Sequence, residues 1–148
     1  MDQAGFHDAA PLVLRHDDHG DLASLHPWLD EQAAAWHLPE AMLHGMRVAL
    51  EEAVMNAAMH GFTPGTSGLI VVRARRDTGM VMLIVEDRGR AFDPTTAGIH
   101  PRPETLHDLE PGGLGLTLLR HYCKDMHHER TGGLNLLTLR FPLPTVMS

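Results

Sequence analysis

Glu52 and Asn56 stand four residues apart in the stretch "EEAVMNAAMHG", residues 51–61. In a helix that spacing puts both side chains on one face, one turn apart. His60 extends the line by another turn. A carboxylate in such a position can take a proton from a hydroxyl nucleophile. An amide oxygen can ligate a hard cation such as Mg²⁺ without adding charge. The neighbouring Ala, Val and Met residues would form the opposite, apolar stripe. A polar face on an ordinary amphipathic helix would hold the same residues for solvation alone. Glu51 lies about a quarter-turn round the helix and reads as surface or support.

Two later segments carry chemistry of a different kind. In "VEDRGRAFDP", residues 85–94, an apolar run leads directly into Asp87 and then Gly89. A strand-end Asp can accept a hydrogen bond from an exocyclic amine such as that of adenine. A glycine two residues on lets a flat ring approach the backbone closely. Asp and Gly after a strand also suit a plain turn. In "GGLGLTLLR", residues 112–120, glycines open a helical pattern. The free N–H groups and dipole at such a helix start favour phosphate, although a short glycine pattern also occurs in loops that bind nothing.

The elements that must position these residues follow from periodicity. "PLVLRH", from Pro11, alternates as an edge strand does. From Asp21, a candidate N-cap, Leu22, Leu25, Leu29 and Trp36 fall near helical spacing. Pro39 and Glu40 suit the first turn of a second helix, which runs through Leu43, Met46, Leu50, Ala53, Val54 and Ala57 to a stop at Gly61. "LIVVRARR" and "MVMLIVED" flank "DTG", a hairpin pattern. The segment from Arg88 to Pro111 has no period, and a loop of that length is usually functional. A helix after Gly115 and two closing strands around Gly132 and Gly133 complete the order. Hairpin-linked strands with helices grouped between them predict an α+β fold: a mostly antiparallel sheet with helices on one face. The absence of βαβ alternation counts against a Rossmann fold.

The totals narrow the function. The chain has 148 residues, a length suited to one domain over 1–148. A net charge of −7 makes a nucleic-acid phosphate backbone an unfavourable partner. Cys123 is the only cysteine, so neither an internal disulfide nor a CxxC metal knuckle can form, as in a reducing compartment. No signal-peptide pattern and no apolar run of membrane-spanning length occur, so the expected address is the cytoplasm. The 12 histidines read as solvated: His127 and His128 are adjacent on a strand and point to opposite faces. The methionines read as adaptable core filler. Trp36 reads as core, and Trp28 as either core or a partner-facing residue.

Taken together, the E-x-x-x-N helix, the D-x-G strand end, a long loop and a glycine turn into a helix resemble the GHKL ATP-binding superfamily. Its N, G1 and G2 boxes come in this order. The pieces "EEAVMNAAMHG", "VEDRGRAFDP" and "GGLGLTLLRHYCKDM" look most similar to the RsbW-type anti-sigma-factor serine kinases. The resemblance spans nearly the whole chain and implies a two-layer α/β sandwich, the Bergerat ATP-binding fold. It implies ATP and Mg²⁺ as cofactors, Glu52 as general base and Asn56 as the Mg²⁺ ligand. Asp87 would read the adenine amine and Gly89 would lie against the ring. His60 would line the pocket, and Gly113, Leu114, Gly115 and Leu116 would cradle the phosphates. The implied reaction is phosphorylation of a serine on a STAS-domain anti-anti-sigma protein. A sigma factor would be an alternative partner, and homodimers are common in the family. Neither direct nucleic-acid contact nor membrane attachment is implied.

Two positions depart from the family pattern. Glu110 and Pro111 precede the glycines where a basic residue is often found. An acid near transferring phosphate opposes the developing charge; Arg102 in the loop is a candidate to compensate. Leu134 and Asn135 stand where a small hydroxyl pair often assists adenine binding through water. These departures leave open a second reading, a nucleotide-binding partner-switch module with little or no kinase activity.

Overall fold

The computed structural model describes residues 7–15, 19–60, 68–89 and 121–144. The strands are β1 (His7–Asp8), β2 (Leu12–Arg15), β3 (Leu69–Arg76), β4 (Met80–Asp87), β5 (Asp125–Thr131) and β6 (Leu134–Pro142). The helices are α1 (His19–Leu22), α2 (Leu25–Ala35) and α3 (Glu40–His60). All six strands form one sheet in the order β1-β3-β4-β6-β5, with β2 also paired to β3. Every described pairing is antiparallel. β1 pairs with Arg75 and Arg76, and β2 with residues Leu69 to Val72, so the two are halves of one interrupted edge strand. Pro11 lies at the interruption, where its missing N–H costs no ladder bond.

The sheet buries one face. Along β4 the residues alternate between half-buried and fully buried, with Val81, Leu83, Val85 and Asp87 inward. That is the period-2 pattern of a sheet covered on one side. The cover is α2 and α3. On α3, Leu43, Met46, Ala49, Leu50, Ala53, Val54 and Ala57 make a continuous stripe against Ile70, Val72, Leu83 and Leu139. Full burial of each large aliphatic side chain contributes about 1.5–3 kcal/mol. Arg47 ties α3 to α2 through Asp30 at 2.8 Å, and reaches Glu40 at 3.1 Å. These half-exposed pairs add little beyond orientation.

One expectation is corrected, and the open reading of Trp28 is decided. Asp21 is not the N-cap of the first long helix: it lies within α1, and its carboxylate accepts the Arg15 N–H at 2.9 Å. The long helix starts at Leu25 after a break at Ala23 and Ser24. Of the two readings of Trp28, core holds: it is buried, and its indole N–H donates to the Ala10 carbonyl at 2.9 Å, pinning α2 to the edge strand. Trp36 caps the C-terminus of α2 and packs, partly buried, against the core. The predicted stop at Gly61 lies outside the described residues.

Gly45 lies inside α3, in its second turn, where glycine costs about 1 kcal/mol relative to Ala. A Cβ there would lie 2.8 Å from Cδ1 of Tyr122. Tyr122 meets the rings of His44 and His121 edge-on, at 5.8 and 4.7 Å. The missing side chain therefore lets the residues that follow the 112–120 segment dock on α3. Gly45→Leu is expected to destabilise the protein by about 1–3 kcal/mol through overpacking, read as a lower urea midpoint. An unchanged midpoint would contradict this docking.

Candidate functional site

The site is built from two places, one on α3 and one at an end of the central strands. On α3, Glu52 is half-buried, while Asn56, one turn later, is 3 % exposed within the apolar stripe. Asn56 Nδ2 is buried and has no hydrogen-bond partner among the described residues. An orphaned donor costs about 1–3 kcal/mol, a cost that a partner beyond the described residues would offset. Rotation about the Cβ–Cγ bond decides whether the amide offers its oxygen or its NH₂ there. The neutral oxygen donor suits a hard cation such as Mg²⁺. Among the described residues, no group of three or more His, Cys, Asp or Glu could hold a metal by protein ligands alone.

Partial burial holds the Glu52 carboxyl above the ordinary 4.5, and the adjacent Glu51 charge pushes the same way. Glu51 itself is exposed and pairs with His26 at 3.2 Å. Because the folded-state value is raised, the Glu52 contribution to stability is fully present below the unfolded value. It is lost as pH rises through the folded one. Glu52→Gln is therefore expected to gain melting temperature relative to the parent at neutral pH but not at low pH. Glu51→Gln removes the like charge and should move the Glu52 titration down, toward its ordinary range. An unchanged titration in that variant would show that the two carboxylates do not interact.

At the sheet, Asp87 ends β4 and is 7 % exposed. Its Oδ1 accepts the Gly89 N–H at 2.9 Å and the Asn135 Nδ2–H at 2.9 Å. Among the described residues nothing donates to Oδ2. Asn135 is the register partner of Asp87 across the β4–β6 ladder and is itself 4 % exposed. Its Oδ1 accepts from Arg130 Nη1 at 3.0 Å and lies 3.3 Å from His128 Nε2. An amide oxygen only accepts, so Nε2 carries the proton in that contact. Arg130 Nη1 also donates to the Gly89 carbonyl at 2.9 Å. Gly89 is thus held at both its N–H and its C=O.

The connection from α3 returns to the start of β3, where Ile70 is the register partner of Asp87. The C-terminal half of α3 and the Asp87 end of the sheet are therefore linked by residues 61–68. A cleft of about 220 Å³ elsewhere on the helices is lined by Leu22, Leu25, His26, Glu51, Val54 and Met55. None of the candidate site residues lines it. The His60 side chain, the phosphate-binding candidates Gly113, Leu114, Gly115 and Leu116, and the Arg88–Pro111 loop beyond Gly89 lie outside the described residues. Asn135, Arg130 and His128 were not among the predicted site residues. The hairpin turn at Gly132 and Gly133 puts Arg130 opposite Asn135, a local signal. The neighbourhood of Asn135 and Asp87 depends on a long-range strand pairing.

Residues 17–141 match the model of the histidine kinase-like ATPase domain. The chain belongs to the histidine kinase-like ATPase family. Among curated relatives, it is 35 % identical over 112 residues to the serine/threonine-protein kinase BtrW of Bordetella bronchiseptica, covering 76 % of this chain and 79 % of that protein. It is 26 % identical over 111 residues to the anti-sigma F factor of Priestia megaterium, covering 74 % and 68 %. These relatives put the chain on the RsbW-type branch of the family. The fold matches the crystal structure of the RsbU and RsbW domains of Rv1364c from Mycobacterium tuberculosis, with a TM-score of 0.62 and 22 % identity. That match covers 91 % of this chain and 33 % of the solved one, and it supports the α+β sandwich. A family of ATPase domains implies ATP binding. No helix among the described residues is long and apolar enough to cross a membrane.

Proposed function

We propose that the protein is an ATP-dependent serine kinase that phosphorylates a STAS-domain anti-anti-sigma protein in a partner-switching pathway, acting as one domain over residues 1–148. The observation that carries this reading is the buried Asp87, clamped on Oδ1 by Gly89 and Asn135. Its Oδ2 is left to accept the exocyclic amine of adenine, with Gly89 against the ring. By the family pattern, Gly113, Leu114, Gly115 and Leu116 would hold the phosphates and His60 would line the pocket. Asn56 would hold Mg²⁺, which when bound neutralises phosphate charge. Glu52, whose raised affinity for a proton suits a base, takes the hydrogen of the partner's serine. The serine oxygen bonds to the γ-phosphorus, the bond to the β–γ bridging oxygen breaks, and that oxygen leaves with its electron pair on ADP. A sigma factor is the alternative partner, with phosphorylation of the STAS-domain protein setting the choice; the protein works in the cytoplasm, and a homodimer is compatible with the reading.

The test is incubation with Mg²⁺, γ-labelled ATP and a cognate STAS-domain protein. Label on serine supports the kinase. ATP binding without transfer favours the second reading, a nucleotide-gated anti-sigma module, for which Glu110 just before the glycines is the supporting feature. If Mg²⁺-ATP fails to raise the melting temperature, both fall, because a ligand that binds only the native state must stabilise it.

A further inference from the structure

We infer that Asn135 and Arg130 are positioning residues that set base specificity by holding Asp87 still, an inference that rests on the adenine-reading role proposed for Asp87. A carboxylate alone is a poor discriminator between purines. It can accept from the 6-amino group of adenine. After a small rotation it can instead accept from the N1–H of a 6-oxo purine. Selectivity for the 6-amino base therefore requires that the carboxylate cannot rotate.

The network on this sheet supplies that restraint. Asn135 Nδ2 and the Gly89 N–H converge on the same oxygen, Oδ1, each at 2.9 Å. Two donors on one oxygen restrain rotation of the carboxylate and leave Oδ2 as its remaining acceptor. Asn135 cannot turn its amide over, because its Oδ1 is held by Arg130 at 3.0 Å and by His128. Arg130 also grips the Gly89 carbonyl at 2.9 Å, so one guanidinium nitrogen braces both donors to Asp87. The positive charge on Arg130 polarises the Asn135 amide and strengthens its donation. With Asp87 fixed, a 6-oxo base presents its O6 to Oδ2, acceptor against acceptor. The Asn side chain thus takes a direct, rigid role at a position where a hydroxyl would act through water.

The test compares ADP with inosine diphosphate, which carries a 6-oxo group, by calorimetry on the full chain. The parent is expected to bind ADP and discriminate against the inosine nucleotide. Asn135→Ala should contract the ADP-to-inosine ratio by about 3- to 10-fold, the scale of one hydrogen bond. Arg130→Gln, at an exposed position where folding is safe, should contract it about 2- to 5-fold. Equal losses for both nucleotides in either variant, or no change in the ratio, would overturn the inference, since a purely structural role would not alter discrimination. If Asn135→Ala does not fold, the Arg130→Gln ratio decides. A parent that binds neither nucleotide would overturn the adenine-reading role of Asp87 itself, and with it this inference.

Discussion

Glu52→Gln should lower phosphoryl transfer to the STAS-domain serine by about 10²–10⁴-fold, the usual contribution of a positioned general base. The substitution keeps the size and most of the polarity of the side chain but removes its ability to take a proton. ADP affinity should stay within about twofold of the parent, since the residue accepts a proton from the partner and not from the nucleotide. The geometry favours this division. Glu52 is half-buried on the same face of α3 as Asn56, while the base-reading carboxylate is on a separate element at the end of β4. In the parent, the acidic limb of the rate should lie above the ordinary glutamate range, because partial burial and then Glu51 raise the Glu52 carboxyl. Single-turnover transfer rates as a function of pH, alongside calorimetric ADP affinities, check both halves. Undiminished transfer in Glu52→Gln would remove Glu52 from the mechanism.

Asp87→Asn should weaken ADP binding by about 10- to 150-fold, the range for a hydrogen bond to a charged group. The argument follows from counting donors and acceptors. An Asn here has one acceptor oxygen where Asp has two. If that oxygen faces Gly89 and Asn135, the new NH₂ faces the adenine amine, donor against donor. If it faces the base, the NH₂ meets the two donors that now converge at 2.9 Å. The first arrangement spares the fold and weakens the nucleotide's hold, so the melting temperature without nucleotide should change little while the rise on adding ADP shrinks. An unaltered ADP affinity would mean that Asp87 does not face the base.

Most of the architecture was legible in local patterns. The hairpin from Leu69 to Asp87 was readable because two alternating β-rich runs flank a three-residue turn. The turn is closed by the Gly79 N–H donating to Asp77 at 3.0 Å. The second hairpin was marked by Gly132 and Gly133, both at positive φ, 57° and 77°, as a tight hairpin turn requires. α3 was visible from its apolar spacing. Where the local signal was weak, a distant contact decided the outcome. Asp21 looked like a helix cap, yet its carboxylate serves the backbone of Arg15. Trp28 left two readings open until its indole N–H found the Ala10 carbonyl, eighteen residues away.

The same division runs through the candidate site. Glu52 and Asn56 on one helix face, and Asp87 with Gly89 at a strand end, are consequences of spacing alone. Whether Asn56 would be a solvated amide or a buried one depended on which stripe of α3 met the sheet. Only the packing of α3 over the sheet decided that it is buried with an orphaned donor. Asn135 looked from the sequence like a defect, a substitute for a hydroxyl. It became a direct partner of Asp87 once β4 and β6, separated by 46 residues between Asp87 and Leu134 in chain number, paired in register. Strand pairing of that kind depends on the fit of both sheet faces and on the elements between, and no window along the chain contains it.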